Sequence, residues 1–231
     1  GDSPAPWDGD VFRFPSRRPR EVAIWLTLCS ETRLRKLEVA DGSAVEAVPK
    51  PARTWLAVGD SITQGMTCRT PARTFSALCA MELGLELRNV GVGGARMDPE
   101  IGRLCRTIAA DAATVAMGIN DFNGSIPLSA YGENARKVLD GLLEGRPDFP
   151  VGLIGPTPWV GGKDRNDAGH TLEDYRALLR EVAGDYRSVR TIEGTAMIPA
   201  KAECFADGVH PNDAGMKAYA VALAPHLKAM L

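Results

Sequence analysis

Histidine is scarce in this chain, at three in 231 residues, and it forms no His-Glu-x-x-His or other metal-ligand spacing. Paired Cys-x-x-Cys motifs are missing as well, so no metal is expected. The five cysteines, Cys29, Cys68, Cys79, Cys105 and Cys204, are odd in number and irregularly spaced. That excludes a fully paired disulfide framework and casts most of them as small buried hydrophobes, with Cys204 close enough to Asp207 to line a site mouth. An excess of one charge is also lacking, since 27 Lys and Arg face 29 Asp and Glu with no basic stripe. Nucleic-acid binding is therefore not expected. No apolar run approaches the roughly 20 residues needed to span a bilayer. The N-terminus has no charged-then-apolar leader, so the expectation is a soluble chain, either cytoplasmic or exported with its leader removed.

Two familiar motifs fail on single residues. A nucleophile elbow of the Gly-x-Ser-x-Gly type would begin at Gly59, but its fifth position is Thr63, which disfavours the α/β-hydrolase fold. Gly91-Val92-Gly93-Gly94-Ala95-Arg96 starts like a dinucleotide fingerprint, yet it ends on Arg96 and lies in a second strand-to-helix turn. No nucleotide cofactor is expected.

From residue 52 onward, short apolar runs alternate with helical periodicity. Strands are expected near 54–58, 86–91, 113–117, 151–155 and 190–193. Phe75, Leu78, Cys79 and Leu83 mark one helical face, and Val138, Leu139, Leu142 and Leu143 another. Asp98-Pro99-Glu100 reads as an N-cap followed by a proline at the first helical position. Thr171 to Asp174 reads as a capping box with Asp in place of Glu. Repeated strand–helix units imply a parallel sheet covered on both faces, with ligands beyond the strands' carboxyl ends.

Four segments fall at that edge. Gly59-Asp60-Ser61-Ile62 places a serine where a buried strand stops. Asn89 to Gly94 and Gly118-Ile119-Asn120-Asp121 place glycines and an amide at two further strand ends. Asp207-Gly208-Val209-His210 offers an imidazole and a carboxylate three residues apart, so one loop can carry a general base with the group that orients it. In this order, the segments resemble the four blocks of the SGNH (GDSL-like) hydrolase family over roughly residues 52–231.

The resemblance implies a three-layer α/β/α, flavodoxin-like domain and a cofactor-free serine esterase. It implies Ser61 as nucleophile, His210 as base and Asp207 as its partner, with an oxyanion hole from Ser61, Gly94 and Asn120. Gly93 competes with Gly94 for the second donor, and Gly94 is favoured. The expected partner is a small-molecule or carbohydrate ester, with an O-acetyl or short acyl group foremost. An acyltransferase or thioesterase on the same scaffold is the alternative, and a non-catalytic binding module is the alternative of another class. For substrate binding, Arg96 is either an anion holder or a surface arginine, and Trp159 either a sugar-stacking platform or a hydrophobic plug.

Residues 1–50 show alternation at Val11 to Phe14, Glu21 to Leu28 and Arg33 to Val39, with Asp41-Gly42 as a hairpin turn. The expectation is a β-rich extension packed on a catalytic domain of residues 51–231. It resembles the closing part of the β-sandwich module that precedes some SGNH carbohydrate esterases and acyltransferase relatives.

Overall fold

The computed structural model describes residues 13, 18–28, 33 and 35–231. Its centre is a five-stranded, all-parallel sheet with strand order β2-β1-β3-β4-β5. The strands are β1 (Thr54–Gly59), β2 (Glu86–Gly91), β3 (Ala112–Ala116), β4 (Val151–Ile154) and β5 (Val189–Ile192), each within two residues of its expected place. Strand β1 pairs with both β2 and β3 and is buried on both faces. Because side chains alternate along a strand, Leu56 and Val58 enter one core layer while Trp55 and Ala57 enter the other. The one polar handle among these, the Trp55 indole N–H, donates to Thr114 Oγ1 at 3.1 Å.

Helices cover both faces. On the first lie α3 (Pro99–Arg106), α5 (Leu128–Leu143) and α6 (Leu172–Gly184). On the second lie α2 (Phe75–Leu83), α7 (Gly194–Met197) and α8 (Asp213–Met230), with Phe75 stacked on Tyr219 at 4.0 Å. Two very short helices, α1 (Ser61–Gln64) and α4 (Ile119–Asn123), stand at strand ends. Local chemistry sets the helix starts: Asp98 caps α3 with Pro99 next to it, and Thr171 and Asp174 form both bonds of the capping box. Asn212 caps α8 by accepting from the Ala214 and Gly215 amides. Pro225 lies inside α8, but the residue whose carbonyl loses its donor, Val221, is on the exposed side, where water can replace it.

Strand order places the site. The chain steps from β1 to β2 on one side, then returns past β1 to β3 on the other, which opens a crevice at the carboxyl ends of these strands. The registers Gly59↔Gly91 and Gly59↔Ala116 end the three strands level with one another. Helix α1 lies directly against the end of β2, so a Cβ on Gly91 would come within 2.1 Å of the Gln64 amide nitrogen. Only glycine allows that approach.

Among the described residues before Thr54 no strand occurs, although alternation there led to a β-rich expectation. Val22, Ile24 and Leu26 are each about half exposed, at 50%, 51% and 51%. Period-2 alternation needs a partner strand and a covering layer before it becomes a sheet, and the described residues supply neither there. Asp41-Gly42 does turn, with the Ser43 amide donating to Ala40 O at 3.0 Å. Residues 21 and 25–28 line a groove with α2 and the outer edge of β2. Val11, Phe12, Phe14, Cys29 and Leu34 lie outside the described residues.

Candidate active site

Ser61 is the first residue of α1, and its turn is set by its neighbours. Asp60 caps the helix by accepting from the Ile62 amide at 2.9 Å, and Gly65 closes it in the left-handed region with φ 97°. This leaves the Ser61 side chain at the end of β1, where its Oγ is 2.9 Å from His210 Nε2. The other ring nitrogen, His210 Nδ1, is 2.7 Å from Asp207 Oδ2. Asp207 Oδ1 accepts from the Val209 and His210 amides at 3.0 and 2.7 Å. Partial burial pushes the Asp207 carboxyl up, but the hydrogen bonds from the His210 amide, the His210 ring and the Val209 amide outweigh it. The group is held below the ordinary carboxylate value.

The loop carrying Asp207 and His210 is tied to its surroundings at several points. Ala206 N–H donates to His210 O at 2.8 Å, and Val160 N–H donates to Gly208 O at 2.8 Å. Thr67, in the left-handed region with φ 72°, donates through Oγ1 to Pro211 O at 2.9 Å. Asp213 accepts from the Arg69 amide and the Arg73 guanidinium, each at 3.1 Å. The stretch after α1 and the stretch after His210 are thus joined across 140 to 144 positions of sequence.

Gly94 lies in the loop after β2 and Asn120 in α4, just after β3. Gly94 has φ 77° with open space where a side chain would point, while a Cβ on Gly93 would meet Gln64 Oε1 at 3.1 Å. Asn120 Nδ2 donates to Ala95 O at 2.9 Å, which uses one of its two N–H groups and leaves the other. The next residue, Asp121, accepts from the Met97 amide at 3.2 and 3.3 Å through its two oxygens. Gly118, which precedes α4, has φ 130°, and a side chain there would strike the Tyr131 hydroxyl at 2.3 Å.

Two carboxylates in this region are 3% and 1% exposed, Asp60 and Asp121 respectively. Burial pushes each up from the ordinary 3.8 to about 6. The native state therefore keeps these protons to higher pH than the unfolded chain does. In the window between about pH 4 and about pH 6 it binds more protons, so their contribution to stability falls as pH rises and is flat above that. Asp207, held low, acts in the opposite sense at the acid end. Asp60→Asn keeps an acceptor for the Ile62 amide and removes the charge. It is expected to stabilise the fold by up to about 3 kcal/mol near pH 8, with the gain fading toward pH 4. Urea unfolding at both pH values checks this, and a gain independent of pH would contradict it.

The two candidate substrate residues are placed differently. Trp159 is half-buried, edge-on to Phe122 at 5.9 Å, and its ring lies so close to Gly162 that a Cβ there would fall 2.4 Å away. Arg96 is exposed and lies against Gly124 at the end of α4. Cys204 is buried in the core layer beneath α8.

Asn166 and Arg176 also shape the loop between β4 and α6. Asn166 donates to Phe122 O and the Tyr175 hydroxyl, and accepts from the Ala168 and His170 amides. Arg176 donates to Pro156 O and Thr157 O at 2.8 and 3.0 Å. Neither carries a sequence signal, since each looks like an ordinary polar residue of a loop or a helix. Among the described residues, no group of three or more His, Cys, Asp and Glu side chains is placed to hold a metal ion, and no helix is long and apolar enough to cross a membrane.

The GDSL-like Lipase/Acylhydrolase family matches residues 57–218. Among solved structures, the salicylyl-acyltransferase SsfX3 of a tetracycline biosynthetic pathway is 24% identical, with 80% of this chain and 56% of that chain covered and a TM-score of 0.69. A carbohydrate esterase family 2 enzyme with a carbohydrate-binding domain, from Corynascus thermopiles (Myceliophthora fergusii), is 18% identical over 82% of this chain and 70% of that one, with a TM-score of 0.69. A carbohydrate acetylesterase family member from Sinorhizobium meliloti is 17% identical over 78% and 99%, with a TM-score of 0.62. At these identities the likeness shows the fold. The chain spans a little over half the length of SsfX3. No curated protein sequence matches this chain.

Proposed function

The chain belongs to the GDSL-like lipase/acylhydrolase family, and from that premise we propose that it is a serine esterase working through an acyl-serine intermediate. The observation that carries the reading is the unbroken hydrogen-bonded line from Asp207 through His210 to Ser61. In the first half-reaction, His210 Nε2 takes the Ser61 proton as Oγ attacks the ester carbonyl, while Asp207 holds the ring by its Nδ1–H. Negative charge collects on the carbonyl oxygen, where the Ser61 and Gly94 amides and the free Asn120 Nδ2–H act as donors. Collapse expels the alcohol, which receives the proton from His210. Water then repeats the sequence and releases the acid.

For the substrate we favour carbohydrate O-acetyl or other short-chain acyl esters, on the likeness to the carbohydrate-esterase structures. The likeness to a salicylyl-acyltransferase supports the second reading, in which an acceptor alcohol replaces water. Arg96, exposed beside α4, is our candidate for an anionic substrate group. Trp159 forms part of the wall. The described residues before position 51 act as a support without a catalytic group, since every candidate lies after position 58 and residues 25–28 line a groove with α2 and β2.

A panel of acetyl, butyryl and octanoyl p-nitrophenyl esters with an acetylated oligosaccharide tests this reading. The expected result is kcat/KM highest for acetyl, with acetate released from the sugar. A preference for octanoyl esters would contradict the short-chain assignment. Acyl transfer to an added alcohol that outpaces hydrolysis would favour the second reading.

A further inference from the structure

We propose that Asp121 is a positioning residue that, with Asn120, clamps the Gly94 loop against α4 and so holds two oxyanion donors at a fixed separation. The inference rests on the acyl-serine reading above. Two consecutive side chains grip the loop at points two residues apart. Asn120 Nδ2 binds Ala95 O at 2.9 Å, and Asp121 receives the Met97 amide at 3.2 and 3.3 Å.

The loop needs such a grip. Gly94 adopts φ 77° with nothing within 4 Å of its Cβ position, so no packing at Gly94 itself fixes where its amide points. The clamp's other end is firm. The Asp121 carbonyl accepts from the Ile126 amide at 3.0 Å, and Phe122, fully buried, meets Tyr175 and Trp159 edge-on. Asp121 is 1% exposed, and a carboxylate buried on a backbone amide is a poor way to stabilise a core. A residue that breaks a local rule in this way is expected at a functional site. Its use here is geometric, because donors to a developing oxyanion act only when they are held in place before the charge appears.

A residue that merely supports the fold and one that sets donor geometry differ in their kinetics. Losing the clamp should harm the transition state and spare ground-state binding. A displacement on the order of 1 Å at such a site costs about 100-fold. In the full chain, Asp121→Ala is therefore expected to lower kcat for p-nitrophenyl acetate by about 10- to 100-fold, with KM within about two-fold. Asp121→Asn, whose Oδ1 still accepts from Met97, is expected to recover most of that loss. In an Asn120→Ala background the Asp121→Ala loss should shrink to about three-fold or less, since one clamp jaw is already gone. Hydrogen exchange adds a readout on the unaltered protein, in which the Met97 amide should be protected as strongly as amides of β1.

A folded Asp121→Ala variant with unchanged kcat would overturn the proposal, as would losses that simply add in the double variant. If Asp121→Ala does not fold, fast exchange of the Met97 amide in the unaltered protein would overturn it, and slow exchange with near-normal kcat in Asp121→Asn would support it. Failure of the underlying reading looks different. In that case Ser61→Ala keeps its turnover, whereas failure of the clamp alone leaves Ser61→Ala inactive.

Discussion

Ser61→Ala is expected to lower kcat for ester hydrolysis by about a million-fold while the protein stays folded. The size follows from the way a nucleophile and its base act as one unit, so that losing either removes nearly all of the triad's contribution. Residual turnover would come from binding and the oxyanion donors alone. The fold should tolerate the change, because the Ser61 Oγ bond at stake is the one to His210 Nε2 at 2.9 Å, and one such bond is worth about 1 kcal/mol net. Asp60 and Gly65, which shape the turn, are untouched. Steady-state kinetics with circular dichroism check both halves of this expectation. A folded variant that keeps a hundredth of the rate would place the nucleophile elsewhere.

Asp207→Asn should cost roughly 1,000- to 10,000-fold in kcat with little change in KM. Asn Oδ1 can still accept from the Val209 and His210 amides, so the loop conformation survives. Its NH₂ then faces His210 Nδ1, where it favours the tautomer with the proton on Nε2. That nitrogen can no longer receive the Ser61 proton. Asp207 is open to water on one side, its side chain being 53% exposed, so the role is orientation rather than burial of charge. A loss below about ten-fold would remove Asp207 from the catalytic unit.

The sheet was legible because its strands are short apolar runs buried on both faces, with glycines or turns where they stop. Trp55 to Val58 is the clearest case, and Gly59 ends it where the site begins. The starts of α3 and α6 were legible for a different reason, since Asp98-Pro99 and Thr171 with Asp174 act through backbone amides a few residues away. The four strand-end segments could be read in order, and the structure brings Ser61, His210 and Asp207 into one hydrogen-bonded line.

What could not be read was anything that depends on residues meeting from far apart. Thr67 and Pro211 are 144 positions apart, and no local pattern announces that a threonine in the left-handed region will bind that carbonyl. The loop between β4 and α6 is long and carries an aromatic in sequence, but nothing local shows that Asn166 and Arg176 pin it from both ends. Asp121 was visible as the last letter of a motif, yet its task depends on the Met97 amide from another loop. Residues 21–28 show the converse, since their alternation points to a strand and none is assigned there among the described residues.

Covalent trapping asks whether Ser61 is the nucleophile. The full chain is treated with a fluorophosphonate, digested, and the adduct located by mass spectrometry. A single adduct on Ser61 is expected, absent from Ser61→Ala and formed much more slowly by Asp207→Asn. Stoichiometric labelling at another residue, or undiminished ester hydrolysis with Ser61 unlabelled, would contradict it.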